Sequence, residues 1–216
     1  MADNAREYGF RWVRNLQGNS APKPQRLRIA TGYQPIVTGP TNVDLHAGDP
    51  VTLLSTGYAQ IGVGSEGTQT AIYGVAVGFG PSYNAAWGGM MPMNKYPGGT
   101  AYSTLLERQS FVWVVPVVGQ LFEIDCDDAV TFTTEATYLA AIGENCDFVL
   151  TADTTNANDP KATPQLDIST HNTTNTLQCR IEDLSPRVNQ DYSGNYVKLQ
   201  VTFNKVQQAP YNTTGV

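Results

Sequence analysis

Regular alternation of apolar and polar residues is clearest between Tyr196 and Val206 (YVKLQVTFNKV). Alternate side chains of an extended chain point to opposite faces, so the apolar set would share one face and the polar set the other. The pattern predicts an antiparallel strand with one buried and one solvated face. The buried face would carry Val197, Leu199, Val201 and Phe203, and the solvated face Lys198, Gln200, Thr202 and Asn204.

The most apolar segment, residues 111–143, is divided by turn and cap signals. Phe111–Val118 is rich in β-branched and aromatic residues, which predicts a strand, and Gly119-Gln120 can turn it. The pattern then predicts a second strand, a short third strand and a helix between cap residues. These are Leu121–Asp125, Val130–Thr133, and Glu135–Ile142 between Thr133 or Thr134 and Gly143.

Residues 26–79 contain short apolar runs, separated by turn signals about every 8–12 residues, as in small barrels and sandwiches. The runs are Leu27 with Ile29, Ile36-Val37, Asn42–Leu45, Val51–Leu54, Tyr58–Val63 and Ala71–Phe79. We therefore expect a mainly β fold. It would be a compact β-barrel or sandwich body with an extended N-terminal arm, a long Gly/Met-rich loop and one short helix.

The predicted organisation is an arm at 1–25, a β-rich body at 26–206 and a C-terminal tail at 207–216. The body could divide into two sub-lobes, 26–79 and 105–206, joined by the irregular loop 80–104. A loop of this length is usually functional or docked on a surface. Its apolar side chains could contact a neighbouring subunit or fold over their own body, and they include Tyr83, Trp87, Met90, Met91, Met93 and Tyr96.

Charge divides the chain into a basic arm and an acidic body. Residues 1–28 hold six basic and two acidic residues, or +4, whereas the remainder holds seven basic and seventeen acidic residues, or −10. In the arm, Tyr8, Phe10 and Trp12 alternate with other residues and could line one face of a strand. They could pack on their own body or on a neighbour. Nucleic-acid binding is the weaker alternative, because the acidic body would repel phosphates.

Composition excludes several classes of protein. Charged residues make up 15% of the chain, below the roughly 25% of typical soluble domains, which suits a β-rich protein that buries surface against neighbours. No apolar run reaches the roughly 18 residues of a membrane span, and we expect neither a signal peptide nor membrane binding. An odd number of cysteines predicts reduced, buried thiols in an intracellular product, at Cys126, Cys146 and Cys179.

Candidate chemistry is sparse, so we expect no enzyme and no cofactor. Asp125, Asp127 and Asp128 could hold a divalent cation, but the remaining ligands of an EF-hand loop are missing, and a solvated acidic turn explains them as well. His46 and His171 are isolated, without a zinc-binding pattern or a nucleophile that they would activate. No phosphate-binding loop or Gly-x-Ser-x-Gly sequence occurs.

A set of stretches occurs in a characteristic order: YGFRWVRNLQG at 8–18, VDLHAGDPVTLL at 43–54 with AIYGVAVGF at 71–79, VVPVVGQLFEIDCDD at 114–128 with GENCDFVL at 143–150, and LQCRIEDLSPRVNQDYSGNYVKLQVTFN at 177–204. Together they resemble the capsid cement, or head decoration, proteins of tailed phages. The resemblance extends over most of the chain, although no single motif is decisive and the loop 80–104 is not part of it.

The resemblance implies a virion structural protein without catalytic residues. Such a protein is made in the host cytoplasm and binds the outer capsid surface, where it stabilises contacts between subunits of the major capsid protein. It would act as an oligomer, such as a homotrimer at threefold positions, without nucleic acid. The expected contact residues are Tyr8, Phe10, Arg11, Trp12, Arg14, Trp87, Met90, Met91 and Met93.

Two other classes of function stay open. A carbohydrate-binding or receptor-binding β-module of a virion could use Tyr83, Trp87 and Tyr96 as a stacking platform. A hydrolase could use the acidic cluster Asp125–Asp128.

Overall fold

The computed structural model describes residues 9–18, 21–29, 45–64, 69–80, 111–127, 131–150, 164–187, 190–193 and 196–208, with the backbone alone of 82–84, 89–91 and 95–96. The strands, in chain order, are β1 (Arg11–Asn15), β2 (Gln25–Arg28), β3 (Leu45–His46), β4 (Pro50–Leu53), β5 (Ala59–Ile61), β6 (Gly74–Phe79), β7 (Ser82–Asn84), β8 (Gly89–Met91), β9 (Lys95–Tyr96), β10 (Phe111–Pro116), β11 (Gln120–Asp125), β12 (Asn145–Leu150), β13 (Pro164–Asn172), β14 (Cys179–Leu184) and β15 (Lys198–Phe203). One short helix, α1 (Glu135–Ala140), lies between β11 and β12.

Two antiparallel sheets form the body. The six-stranded sheet has the order β1-β11-β15-β14-β12-β13, and the five-stranded sheet has the order β2-β10-β6-β4-β5. Their packing gives a sandwich-like, mainly β body with one short helix, which confirms the predicted fold class. A parallel bridge between Ile72 and Val206 connects the end of the six-stranded sheet to the segment before β6.

Local signals in the centre of the chain correctly predict the turn between β10 and β11 and the start of the helix. Between β10 and β11 the N–H of Gln120 donates to the carbonyl of Val117 at 3.1 Å, and Gly119 supplies the positive φ of 68° that the turn needs. Thr134 caps α1, its side chain accepting from the backbone N–H of Thr137. Gly143, at φ 90°, follows the helix as predicted.

Three local expectations are wrong. Residues 131–133, in the predicted third strand, have no strand structure, although Phe132 is buried. Polarity also predicts a loop at Ser169–Thr176, between short strands at Leu166–Ile168 and Leu177–Ile181, but β13 continues to Asn172 because a strand with one exposed face accommodates these side chains. The predicted irregular loop 80–104 contains β7 and β8, which pair with each other, and β9, which pairs with β3.

Strand β15 is antiparallel as predicted, but its second face is solvated only towards its end, where Thr202 is partly exposed and the following Asn204 is exposed. Lys198 is 0% exposed and Gln200 is 8% exposed. The strand lies between β11 and β14, and Lys198 faces Asp125 of β11 in an ion pair of 3.6 Å. Alternation therefore assigned the residues of β15 to the correct faces. It could not show that Lys198 would be buried, because the burial depends on Asp125 of another strand.

The hydrophobic core has two parts. The larger cluster contains residues of both sheets, such as Val75 and Val115 of the five-stranded sheet with Phe122 and Val201 of the six-stranded sheet. The smaller cluster includes Ala76 and Val114, the neighbours of Val75 and Val115 in sequence. Because successive residues of a strand point to opposite faces, the five-stranded sheet buries part of each face, around Val75-Ala76 and Val114-Val115.

Phe10 anchors the N-terminal segment in the larger cluster. Its side chain is 2% exposed, and its ring centroid lies 4.7 Å from that of Phe203 and 5.4 Å from that of Phe148. Its backbone N–H donates to the carbonyl of Gly48 at 2.9 Å. Strand β1 follows at once and pairs with β11. Residues 10–15, which lie within the predicted arm 1–25, therefore pack on the body of their own chain.

Replacing Phe10 with Ala should lower the free energy of unfolding by about 3–4 kcal/mol, the usual cost of removing a buried phenyl ring and leaving a cavity. Leu16→Ala is the matched control, because Leu16 is 50% exposed and its loss should cost no more than about 0.5 kcal/mol. Urea denaturation followed by circular dichroism measures both changes. Equal stability of the two variants would contradict the assigned position of Phe10.

Candidate binding site

The structure distributes the predicted contact residues among different environments. Phe10 lies in the core of its own chain, so its side chain is not available to a neighbour. Trp12 is partly buried and donates its indole N–H to Oε1 of Gln120 at 2.8 Å. Arg11 and Arg14 are exposed on β1, an edge strand of the six-stranded sheet.

The structure does not place the side chains of Tyr8 in the arm or of the predicted contacts in the Gly/Met-rich loop. Tyr8, Trp87 and Met93 lie outside the described residues. Met90 and Met91 belong to β8, of which the structure describes the backbone alone.

A surface groove brings Arg11 and Trp12 together with residues distant in sequence. It has a volume of about 490 Å³ and lies where β1, β11 and β15 meet the segment after β14. We call it the arginine groove, and its lining residues are Arg11, Trp12, Val13, Glu123, Ser185, Pro186, Arg187 and Gln200.

Glu123 organises the charges of the arginine groove. Its side chain is 10% exposed, and its Oε1 accepts a hydrogen bond from Nη2 of Arg187. Its Oε2 accepts from Nε of Arg187 at 3.3 Å and from the hydroxyl of Ser185. Nη1 of Arg11 lies 3.9 Å from Oε1. Two guanidinium groups therefore converge on one carboxylate.

These partners decide the protonation of Glu123. Burial works to raise the pKa of Glu123, but the hydrogen bonds from Arg187 and Ser185, with the positive charges of Arg187 and Arg11, hold that pKa below its ordinary value of 4.5. Glu123 is thus ionised at neutral pH, where it pairs with Arg187 and Arg11. The Arg11 side chain, at 67% exposed, forms the solvent-facing side of this cluster.

The first residue of the predicted acidic turn, Asp125, belongs to a strand. Asp125 is the last residue of β11 and is 3% exposed, where it pairs with Lys198. Cys126 forms a parallel bridge with Leu166, and the N–H of Asp127 donates to the carbonyl of Leu166 at 3.0 Å. For Asp125 the expectation of a solvated position is wrong, because the strand continues into the interior, where Lys198 compensates its charge. Asp127 is partly exposed, and Asp128 lies outside the described residues.

Metal and histidine chemistry find little support in the described ranges. No group of three or more potential ligands comes together there. His46 is buried, with Nδ1 3.6 Å from Asp49, and Nε2 of His171 lies 3.7 Å from Glu144. No helix in the described part of the chain is long and apolar enough to cross a membrane.

All three cysteines are buried free thiols, as predicted. Burial raises the pKa of Cys126 to about 12 and raises the pKa of Cys146 and of Cys179 well above the ordinary value. Because the thiolate is the reactive form, these thiols are inert components of the core.

Sequence reasoning found Arg11 and Trp12 but missed Glu123, Ser185 and Arg187. Glu123 interrupts an apolar run (LFEID), which is a weak signal for a paired charge on a buried strand. Its partner Arg187 is 64 residues away, and no local pattern connects the two.

Comparisons with known proteins give no match: no family model, no curated protein and no solved structure is significantly similar to this chain.

Replacing Glu123 with Gln should lower the free energy of unfolding at pH 7 by about 2 kcal/mol, because the three hydrogen bonds from Arg187 and Ser185 lose their ionised acceptor. A depressed pKa stabilises the fold above the ordinary value, and this contribution is lost as pH falls through the lower folded pKa. The difference from wild type should therefore shrink below pH 4.5.

Glu182→Gln is the control for this prediction. Its side chain is 33% exposed and lies 3.9 Å from Arg180 in a surface pair, so the change should cost about 0.5 kcal/mol. Denaturant titrations at pH 7 and pH 3 measure both variants. A Glu123→Gln effect that is independent of pH would contradict the assigned ionisation.

Proposed function

We propose that this protein is a non-enzymatic virion structural protein, a capsid cement protein that binds the outer capsid surface in many copies and stabilises contacts between major capsid protein subunits. Its sequence resemblance to tailed-phage cement proteins supports the assignment. The described structure adds a rigid β-sandwich, which suits a part that must resist deformation. Of the acidic cluster Asp125–Asp128, which the hydrolase alternative would use, Asp125 is buried against Lys198.

The observation that carries this proposal is the position of the basic segment. Strands β1 and β2 are consecutive in sequence, and each forms an edge of a different sheet. Together they present Arg11, Arg14, Arg26 and Arg28 at the surface of a chain whose net charge is −6. Opposite charges on two surfaces steer their association and fix its orientation. A partner with an acidic outer surface therefore fits these edges.

Many modest contacts suffice for such a function. Once one copy or one surface is engaged, further contacts on the same lattice benefit from a high effective concentration. A low content of charged residues elsewhere reduces the desolvation cost of packing against neighbours.

Replacing Arg11 and Arg14 together with Gln should weaken binding to capsids by about tenfold at low salt, because two steering charges are lost from one edge. The difference should shrink at high salt, where exposed charges are screened. The measurement is occupancy of capsids prepared without the protein, from the same virus, titrated with the purified wild-type or variant chain.

Arg180→Gln is the matched control, since Arg180 is also exposed (52% of its side chain) but lies on β14 within the same sheet. Wild-type protein that fails to occupy the capsids would contradict the proposed function. Deletion of residues 1–20 is a poor substitute for these variants, because it also removes Phe10 from the core.

A further inference from the structure

A second basic surface lies on the five-stranded sheet, at its β2 edge. Arg26 is opposite Trp113 and Arg28 is opposite Phe111 in the antiparallel pairing of β2 with β10. Directly opposed residues share a face of the sheet, here the face opposite to Leu27 and Val112, which pack into the smaller core cluster. We call this surface the aromatic platform, and its members are Arg26, Arg28, Phe111 and Trp113, with Gly78 and Gly80 of the adjoining β6 segment.

The rings of the aromatic platform are held in place. The guanidinium carbon of Arg26 lies 4.1 Å from the centroid of Phe111, a cation–π contact. The rings of Phe111 and Trp113 meet edge to face, with centroids 5.6 Å apart. A Cβ atom added to Gly80 would lie 2.3 Å from the Phe111 ring, so the ring packs directly on this backbone. Little side-chain entropy would be lost on binding.

The aromatic platform nevertheless leaves apolar surface exposed. Trp113 is 39% exposed, which corresponds to roughly 100 Å² of a side chain that can bury about 250 Å². The residue of β6 opposite Trp113 is Gly78, and a Cβ atom added to Gly78 would meet nothing within 4 Å. The sheet beside the indole is therefore open enough to receive another side chain.

Among the residues that the structure describes, Arg26 and Arg28 pair with no carboxylate. The ion pairs there involve other basic residues. Trp and Arg are the residue types most enriched at the energetic centres of protein interfaces. Nucleic acid fits less well, because its binding requires many phosphate contacts and the remainder of this chain is acidic.

We propose that the aromatic platform is a docking surface for an acidic segment of the capsid protein, with Arg26 and Arg28 binding its carboxylates while an apolar side chain of the same segment covers Trp113. This inference rests on the proposed function and assigns to it a second contact. The platform is separate from the arginine groove, which lies at the edge of the other sheet.

The test uses the full chain and the capsids described above. Trp113→Ala should reduce capsid affinity at least tenfold, and Trp113→Phe should restore part of it. The double change Arg26→Glu and Arg28→Glu should reduce affinity by a similar factor, whereas Leu139→Ala, on α1 and 48% exposed, should leave it unchanged. Charge reversal keeps the edge strand charged, so it separates loss of complementarity from loss of solubility.

Each outcome decides between the alternatives. Selective loss of binding in the platform variants, with wild-type circular dichroism, supports the inference. Wild-type affinity in both Trp113→Ala and the double variant overturns it while leaving the proposed function in place. A wild-type chain that does not bind capsids contradicts both. Quenching of tryptophan fluorescence by a dT oligonucleotide, lost in Trp113→Ala, would overturn the protein partner in favour of nucleic acid.

Discussion

The burial of Phe10 between the two sheets is the contact on which the arrangement of the N-terminal segment depends. Its ring packs on Phe203 and Phe148 of the six-stranded sheet. Its backbone bonds to Gly48, which itself donates to Ala76 of the five-stranded sheet. With this residue fixed, β1 joins the edge of one sheet, and β2 forms the edge of the other. One short basic segment thereby supplies an edge strand to each sheet.

The buried charges on β11 and β15 do not by themselves explain stability, because desolvation offsets much of the attraction within a buried ion pair. They do oppose incorrect pairing of the strands. Asp125 and Lys198 are register partners, and a slip of one residue would separate the pair and turn the charge of the shifted strand towards the apolar core. The same face also carries Glu123, which holds Arg187 across the arginine groove. A register requirement thus positions the groove.

Sequence reasoning succeeded where the signals were local and failed where the partner was distant. The turn at Gly119 and the helix that lies between Thr134 and Gly143 depend on nearby residues, and both were predictable. Trp12 and Gln120 are 108 positions apart, and no pattern in the arm reveals that β1 pairs with β11. Alternation in β15 likewise identified two faces but not the burial of Lys198, because periodicity describes one strand and says nothing about what covers it.

Exposed arginines on an edge strand can protect the edge from pairing with another chain, or they can bind a partner. The edges of the two sheets differ in which of these roles explains their residues. Charge on an edge discourages pairing with another chain's strand, and two arginines on each edge are enough for that role. Edge protection does not require the exposed indole of Trp113 beside the charges, nor the Phe111 ring held between Arg26 and Gly80. On the β1 edge, by contrast, Trp12 is used internally and Glu123 compensates part of the charge. The β2 edge therefore keeps more of its apolar and cationic surface exposed. Protection of the edge explains the arginines there, but binding of a partner also explains the exposed tryptophan beside them.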